Sequence, residues 1–356
     1  GSSVSMVVPL LRANVDGKFK ILQISDTHMS SEPRLCNDAI DADGHVRAPF
    51  EADPQTQAFI SEVLDVEKPD LVVLTGDQLH HDILDSERVL RKVLDPIIEK
   101  GVKWAAVFGN HDDEGGFSVV GEAQMEIMEG LPGSLCASGP GSVEGVGNYY
   151  VQVCGQAGDE RVATLFLLDS HGQVKSGVKE PDWDYIRPSQ IYWFRRTSQE
   201  LRQTRRPGSK HQSLVFFHIP IPEFADDDRL TIASGHRGEP TEGPSFNSHF
   251  YDALAEEGVV AVGCGHDHVN DFCALRKARV EGGDGASKAQ RPWLCHCGGS
   301  GFGGYGSHGG RYYHRRMRVW ELDTETAGLM TWKRVEYVDG PVDEIVLMKG
   351  GIIGSF

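Results

Sequence analysis

Aspartate, asparagine and histidine side chains, which are ligands for hard or borderline metal ions, follow the apolar runs of this sequence. Four apolar residues at 71–74 predict a strand that is buried on both faces, and Asp77 follows its C-terminal end. In open α/β sheets, ligands bind at the carboxyl ends of strands. We therefore expect a metal site where this run meets four others, which end at Asp26-Thr27-His28, Asn110-His111-Asp112, His218 and His266-Asp267-His268.

The segments between these runs predict the helical crossovers of a parallel sheet. Asp53-Pro54 predicts an N-cap and a first helical position, and the apolar stripe that follows predicts a helix. A second helix is predicted over 86–100, with a kink at Pro96. Further helices are predicted over 118–130, 188–203 and 248–257, and two pairs of antiparallel strands over 149–153 with 163–168 and over 315–322 with 329–338.

The domain organisation predicted from these elements is simple. Residues 1–18 are expected to form an N-terminal arm that starts with a cloning remnant, Gly1-Ser2-Ser3. Residues 19–356 are expected to form one domain, because no internal repeat and no long linker divides them. This domain should contain two sheets with helices outside, and the candidate ligands should converge on one rim.

Composition excludes some functions and favours others. The formal net charge of −17 disfavours nucleic acid or an anionic membrane as a partner, since both attract basic patches. No apolar run approaches the roughly 18 residues that span a bilayer. The seven cysteines are scattered and indicate no disulfide framework, although they leave room for one or two bridges. With no Asn-x-Ser/Thr sequon, an intracellular protein is favoured, while a removed signal peptide remains compatible with the sequence.

The ordered blocks Asp26-x-His28, Gly76-Asp77, Gly109-Asn110-His111-Asp112, His218 and Gly265-His266-Asp267-His268 resemble the calcineurin-like metallophosphoesterase superfamily. Its pattern is DxH…GD…GNH(D/E)…H…GHxH. The flanking segments LTGDQ, WAAVFGNHDDEG, LDSHG, WLCHCGGSGFGGYG and RRMRVWELD are similar to a fungal and plant group often labelled purple acid phosphatase-like, which includes a fungal cell-cycle phosphatase. The resemblance implies a four-layer α/β/β/α sandwich with two mixed sheets and a two-metal site.

The resemblance also implies roles for individual residues. Asp77 would bridge two divalent or trivalent ions, either manganese, iron or zinc. A hydroxide held by both ions would attack phosphorus, His111 would act as the general acid and Asp112 would orient it. One ion would take Asp26, His28 and His268, and the other Asn110, His218 and His266.

The sequence departs from true purple acid phosphatases at two of these positions. Their first motif lacks the histidine that this chain has at 28, and they carry a tyrosine ligand where this chain has His80. We therefore expect no charge-transfer colour. His80 and His171 follow strand ends, and we predict that both contact substrate.

Each motif has a less specific interpretation. Any single ligand residue could be a capping or turn residue at a strand end, and only their ordered set favours a metal site. His296, between Cys295 and Cys297, is interpreted as buried packing because the cysteine spacing does not fit zinc. The segment 299–304 fits GxGxxG, but no helix pattern follows, so a glycine loop beside the metal rim is predicted. The arginines over 311–318 are interpreted as a solvated strand face.

The predicted function is a metal-dependent phosphatase that acts on phosphomonoesters. The alternatives are a phosphodiesterase that uses the same site and, in another class, a non-catalytic scaffold that binds proteins. The expected substrate is a phosphorylated small molecule or a phosphoprotein segment, and nucleic acid is not expected. We expect a monomer.

Overall fold

The computed structural model describes residues 8–80, 85–112, 121–277 and 291–354. The helices are α1 (Ala52–Glu67), α2 (Ser86–Glu99), α3 (Gly121–Glu129), α4 (Pro188–Gln203) and α5 (Phe250–Glu256). The strands are β1 (Leu10–Arg12), β2 (Lys18–Ile24), β3 (Leu35–Cys36), β4 (Phe50–Glu51), β5 (Leu71–Thr75), β6 (Lys103–Val107), β7 (Tyr149–Cys154), β8 (Arg161–Leu167), β9 (Gln173–Val174), β10 (Asp182–Trp183), β11 (Gln212–Phe216), β12 (Leu230–Ser234), β13 (Ala261–Cys264), β14 (Cys273–Arg276), β15 (Trp293–His296), β16 (Ser307–His308), β17 (Arg311–Tyr312), β18 (Arg316–Asp323), β19 (Gly328–Val335), β20 (Val342–Lys349) and β21 (Ile352–Ile353).

Two large mixed sheets contain most of these strands. One has the order β21-β20-β19-β18-β2-β5-β6, and the other has the order β1-β7-β8-β11-β13-β15-β14-β12. Strands β2, β5 and β6 run parallel, as do β8, β11, β13 and β15, so their carboxyl ends lie at common edges. The predicted antiparallel pairs are confirmed as β7 with β8 and β18 with β19.

Side-chain alternation along β11 shows how the layers stack. Phe216 points between the sheets, where its ring lies 5.8 Å from that of Trp320 on β18. The next residue, Phe217, points to the opposite face, where its ring lies 6.2 Å from that of Phe250 in α5. The two sheets therefore pack face to face with helices outside, which confirms the four-layer α/β/β/α prediction.

The helices on the other side follow from their apolar stripes. Helix α1 buries Phe59, Ile60, Val63 and Leu64, and α2 buries Val89, Leu90, Val93, Leu94 and Ile97, all in the main hydrophobic core. Helix α1 begins at Ala52 rather than after Asp53, so the N-cap prediction is wrong. Tertiary partners explain this, because the Asp53 carboxylate accepts from Ser30 N at 3.1 Å and from Lys92 Nζ at 2.7 Å.

The N-terminal segment and the cysteines take defined positions in the sheets. Within the predicted arm, Leu10–Arg12 form the edge strand β1, which pairs with β7. Cys273 and Cys295 lie opposite each other on β14 and β15 and form a disulfide. This is one of the bridges that the sequence left open. No helix among the described residues is long and apolar enough to cross a membrane.

The solvated strand face predicted for the arginines over 311–318 is wrong for three of them. Arg315, Arg316 and Arg318 are buried. Arg316 contacts the carboxylate of Asp271, and Arg318 Nη2 donates to the Asp271 backbone oxygen at 2.8 Å. The partners of Arg316 and Arg318 come from a loop of the other sheet, and Arg315 pairs with Asp38 at 2.9 Å. All of these partners are remote in sequence, so no local pattern could reveal them.

Candidate metal centre

The ligands predicted by the sequence lie just past the carboxyl ends of β2, β5, β6, β11 and β13. Four of them have left-handed backbone, with φ angles of 57° at Asp26, 47° at His28, 52° at Asp77 and 74° at His266. L-residues adopt this region rarely, and such strain clusters at functional sites. The turns therefore aim these side chains into one space between the sheets.

Asp26, His28 and His268 form the first buried group, with one potential ligand atom from each within 4.8 Å of the others. His28 Nε2 and His268 Nε2 are 3.1 Å apart, and His268 Nε2 lies 3.3 Å from Asp26 Oδ1. Asp26 Oδ1 is buried and has no hydrogen-bond partner among the described residues. A buried carboxylate oxygen that faces two imidazole nitrogens fits a cation.

Asp77, His218 and His266 form the second buried group. His218 Nδ1 donates to the Thr75 backbone oxygen at 2.7 Å, which leaves Nε2 directed toward Asp77 Oδ2 at 3.2 Å. Asn110 completes the group, because its Oδ1 lies 3.0 Å from His218 Nε2 and 2.9 Å from His266 Nδ1. The seven residues predicted as ligands are thus brought together in the two predicted sets.

Asp77 lies between the two groups. Its Oδ2 is 3.2 Å from His218 Nε2 in the second group and 3.7 Å from His28 Nε2 in the first. Its Oδ1 accepts a hydrogen bond from the backbone N–H of His111 at 2.8 Å. A carboxylate that faces both sets is the geometry that a pair of ions with one shared ligand needs.

The pKa shifts reflect the concentration of buried charge. Burial lowers the pKa of His28 to about 4. Burial also opposes charge on His218, but the nearby Asp77 and Asp26 carboxylates raise its pKa to about 10. Without a bound cation, a proton on His218 would partly neutralise the negative charge of Asp77 and Asp26. Oxygen and imidazole donors without thiolate suit manganese, iron or zinc, so the residues fit a pair of such ions.

Asp112 holds together the two turns that carry ligands. Its Oδ2 accepts from the backbone N–H groups of Asp77 at 2.8 Å and Gly109 at 2.7 Å, and its Oδ1 accepts from Leu79 N at 3.0 Å. Burial, followed by the charge of Asp77, raises the pKa of Asp112 to about 7. These hydrogen bonds join the Asp112 carboxylate to backbone N–H groups and not to the ring of His111. The orienting role predicted for Asp112 toward His111 therefore stays a prediction.

A cavity of about 380 Å³ opens onto the ligand groups. His80 lies on its wall, and its contact with substrate stays a prediction. The ring of His111 lies there too, 5.4 Å from that of His28. A larger groove of about 690 Å³ runs past Leu10 and Lys103 and contains none of the ligands, so size does not mark the site. The cavity is lined by His28, Arg34, Asp77, His80, His111, Trp183, Glu242, His266, Asp267, His268, Gly303, Gly304 and Tyr305.

Three residues of this lining carry no sequence signal, Arg34, Trp183 and Glu242, and Tyr305 appears in the sequence only as part of the segment WLCHCGGSGFGGYG. They come from loops and from the short strand β10, where no apolar run precedes them. Only the glycine loop beside Tyr305 was predicted to lie at the metal rim. His171 is not in the described lining, because its Nε2 lies 2.8 Å from Gln190 Oε1. Its predicted contact with substrate stays a prediction.

The glycine loop packs directly on the ligands. A Cβ placed on Gly304 would lie 2.8 Å from His268 Nδ1 and 2.8 Å from His28 Cδ2, closer than side chains approach one another. Only glycine lets the loop lie this near to both imidazoles. His296 is fully buried, with its ring 4.9 Å from those of Phe224 and Phe272, which confirms the packing interpretation.

Two mixed sheets, packed face to face, with paired metal-ligand groups at the carboxyl ends of their strands, define a metallophosphoesterase fold. A family model for the calcineurin-like phosphoesterases matches residues 19–270 of this chain. The chain therefore belongs to the calcineurin-like phosphoesterase family, as the resemblance implied.

Relatives place the chain near fungal and plant proteins. It is 37% identical over 338 residues to Phosphatase DCR2 of Saccharomyces cerevisiae, an alignment that covers 91% of this chain and 55% of the yeast protein. It is 35% identical over 353 residues to "Probable inactive purple acid phosphatase 14" of Arabidopsis thaliana, covering 92% of this chain and 82% of the plant protein. The chain thus spans about half of the yeast relative.

Solved structures share the fold at low identity. A dimetal phosphatase from Danio rerio superposes with a TM-score of 0.53 at 12% identity, covering 91% of this chain and 98% of that one. The purple acid phosphatase PPD1 from yellow lupin gives a TM-score of 0.51 at 11% identity, covering 92% of this chain and 53% of that one. At such identities the likeness concerns the fold alone.

Proposed function

We propose that this chain is a metal-dependent phosphatase that hydrolyses phosphomonoesters. The observation that carries the proposal is the position of Asp77, whose Oδ2 lies within 4 Å of imidazoles from both buried groups. Two bound ions would supply a nucleophile at neutral pH and positive charge to stabilise the phosphoryl group. One ion is assigned to Asp26, His28, His268 and Asp77, and the other to Asn110, His218, His266 and Asp77.

His111 is proposed to donate a proton to the leaving oxygen. Its ring lines the cavity, and its backbone N–H is held by Asp77 Oδ1, so its position is tied to the shared carboxylate. General acid catalysis of this kind contributes roughly 10²–10⁴-fold to the rate. Asp112 supports it by joining the turn at Asp77 to the turn at Gly109, which precedes His111.

Charge favours a monoester over a polyanion. The chain has a formal net charge of −17, which repels a long nucleic acid. Inside the cavity, two ions would bring about four positive charges, and Arg34 lies on the wall beside His80. The attraction by the ions extends over roughly 8–10 Å, the distance over which salt screens charge. A compact phosphate fits within this distance, whereas a long polyanion also lies along the acidic surface outside it and is repelled there.

The names of the plant relatives support a competing candidate. Three of them are named probable inactive purple acid phosphatases, which favours a scaffold that kept the fold for protein binding. The full set of ligand residues in this chain supports catalysis instead, since a scaffold needs none of them. The phosphodiesterase alternative uses the same ligands and differs only in substrate.

One comparison of substrates separates these candidates. p-Nitrophenyl phosphate, bis-p-nitrophenyl phosphate and single-stranded DNA are incubated with the protein at equal salt, without metal and with manganese, iron or zinc in turn. We expect manganese-dependent turnover that is fastest on the monoester. A faster diester rate would assign a phosphodiesterase, efficient DNA cleavage would refute the charge argument, and no turnover with manganese, iron or zinc would favour the scaffold.

A further inference from the structure

The cavity lining contains two carboxylates that the proposed reaction does not use: Asp267, which is buried and accepts from the backbone N–H of Glu242 at 3.3 Å, and Glu242 itself. The side chain of Glu242 is the partly exposed one. Its Oε2 accepts a hydrogen bond from the indole N–H of Trp183 at 3.3 Å, and this is the described contact of its side chain. Trp183 in turn packs edge-on against the ligand His266, with ring centroids 4.3 Å apart and an interplanar angle of 80°. A carboxylate therefore lies one side chain away from the second ligand group.

A carboxylate on the wall of a phosphate site repels the phosphate itself. It stabilises a ligand only where it meets a positive charge or a hydrogen-bond donor elsewhere in that ligand. No lysine or arginine among the described residues forms an ion pair with Glu242; the ammonium of Lys179 is bonded instead to the backbone oxygen of the next residue, Gly243, at 2.7 Å. The Glu242 carboxylate is therefore suited to face the alcohol part of the substrate rather than its phosphate.

Side chains of opposite charge line the cavity near different ligands. Arg34, the only lysine or arginine in the described lining, contacts His80, whose ring lies 5.9 Å from that of His28 in the first ligand group. Glu242 contacts Trp183, whose ring packs against His266 in the second group. Because Glu242 is one side chain away from the ligand His266 and lines the same cavity, a molecule whose phosphate binds at the ligands can place a positive group against Glu242.

Aromatic rings in the lining also favour a positively charged group. Trp183 and Tyr305 both line the cavity, and Tyr305 is 41% exposed. Aromatic faces attract ammonium and guanidinium groups, by about 0.5–2 kcal/mol according to their exposure. An indole that binds a carboxylate, in a cavity that a second aromatic ring also lines, favours a cation over a neutral or anionic group. At about 380 Å³, the cavity is at the small end of ligand pockets, so the bound group is compact.

We propose that Glu242 and Trp183, in a cavity that Tyr305 also lines, form a subsite for a positive charge on the leaving alcohol. The preferred substrates are then phosphomonoesters whose alcohol carries an ammonium or guanidinium group close to the phosphate. This proposal rests on the proposed function, because it specifies the substrate of the same site. Two sources share this chemistry: the phosphate of a free amino alcohol, and a phosphoserine with an arginine beside it in a peptide.

A matched series of substrates tests the subsite. kcat/KM is measured in manganese at low salt for O-phosphoethanolamine and phosphocholine, for glycerol 2-phosphate as the neutral ester, and for 3-phosphoglycerate as the anionic ester. Two phosphoserine peptides that differ only by arginine or glutamine next to the phosphoserine represent the second source. We expect the cationic member of each set to exceed the neutral one by about 10-fold or more, and 0.5 M salt to reduce this ratio.

The variant Glu242→Gln keeps the shape of the side chain and an acceptor for Trp183 Nε1 but removes the charge. We expect it to lower the cationic-to-neutral ratio about 10-fold. Glu200→Gln is the matched control, since Glu200 is exposed on α4, where it pairs with Arg196, and its loss changes the net charge equally. The control should keep the wild-type ratio.

The possible results distinguish failure of the subsite proposal from failure of the proposed phosphatase function. Turnover of p-nitrophenyl phosphate with equal kcat/KM for cationic and neutral esters would overturn the subsite and leave the phosphatase intact. A preference for cations that survives in Glu242→Gln would also overturn it. Absence of turnover for every ester with every metal would remove the proposed function itself. The substrate series on the wild-type chain alone shows whether cationic esters are preferred, so the proposal is testable even where the variant folds poorly.

Discussion

The ring of Tyr305 lies parallel to the imidazole of His268, with centroids 4.0 Å apart and an interplanar angle of 6°. The backbone oxygen of Tyr305 accepts a hydrogen bond from His268 Nδ1 at 2.9 Å, and its hydroxyl donates to Glu239 Oε1 at 2.6 Å. Because Nδ1 donates there, Nε2 of His268 is left to face Asp26 Oδ1. Tyr305 thus fixes both the tautomer and the plane of a predicted ligand.

Tyr305→Ala should therefore weaken one of the two metal sites. It removes the stacked ring and the bond to Glu239 while the backbone acceptor stays. We expect one ion to bind about 10–100-fold more weakly, the range found when partners of a ligating histidine are removed. Titration calorimetry of metal into the metal-free protein measures this directly. Tyr312→Ala is the control, because Tyr312 is exposed; equal affinities in both variants would contradict the positioning role.

Gly304→Ala should disturb both ligands of the first group at once. The added methyl would lie 2.8 Å from His268 Nδ1 and from His28 Cδ2, so the loop or the imidazoles must move. We expect the metal content to fall from two ions toward one and the activity to fall with it. Gly141→Ala serves as the control, since a Cβ there meets nothing within 4 Å. Retention of two ions in Gly304→Ala would show that the loop adjusts freely.

The number of ions and the role of Asp77 form a third prediction. Metal-loaded wild-type protein should contain two ions per chain by elemental analysis. Asp77→Asn removes the negative charge that both groups share, so at least one ion should be lost and turnover should collapse. The loaded protein should show no purple or pink absorption band, because His80 occupies the place of the tyrosine ligand. One ion or none in the wild type, or such a band, would contradict this assignment.

Sequence reasoning was strongest where chemistry and topology coincide. A buried strand of a parallel sheet must end at a common edge, so the residues after five apolar runs could be placed together from the sequence alone. The sandwich itself came from the resemblance, and the alternation of Phe216 and Phe217 between the inner and outer faces of β11 agrees with it.

Sequence reasoning failed where partners come from distant loops. Trp183, Glu242 and Tyr305 line one cavity because β10 and two loops reach it, and no local periodicity encodes this. The buried Arg318 is another case, since its partner Asp271 belongs to a loop of the other sheet and makes burial of the charge tolerable. The local sequence pattern therefore predicts which residues follow the strand ends, but not which loop residues line the cavity beside them.

His111→Ala should separate proton donation from metal binding. The variant keeps the backbone N–H that binds Asp77 Oδ1, so both ions should remain bound. The rate on an alkyl phosphate should fall about 10²–10⁴-fold, because an alkoxide needs a proton to leave. The loss on p-nitrophenyl phosphate should be smaller, since nitrophenolate leaves with little assistance. Loss of an ion from His111→Ala would instead make His111 a ligand.

The last prediction concerns acid stability and the buried charges between the sheets. Asp271 Oδ2 lies 2.5 Å from Lys333 Nζ and also contacts Arg316, and Oδ1 lies 2.9 Å from His236 Nδ1. Burial opposes the charge on Asp271, but Arg316, His236 and Lys333 hold its pKa well below the ordinary value. Its stabilisation is therefore complete above about pH 4, the pKa of an unfolded aspartate, and is lost as the pH falls through the lower pKa of the folded state.

Asp271→Asn should cost about 3–5 kcal/mol in the free energy of unfolding at pH 7, because it leaves Lys333 and Arg316 buried without this partner. The difference from the wild type should shrink below about pH 4, where the wild-type carboxylate begins to lose its advantage. Urea unfolding of the metal-free protein at pH 7, 5, 4 and 3 measures both effects. Asp343→Asn is the matched control, since Asp343 also lies 2.5 Å from Lys333 Nζ but is 40% exposed, and its cost should be below about 1 kcal/mol. Equal costs for the two variants would mean that burial of the pair does not determine its contribution.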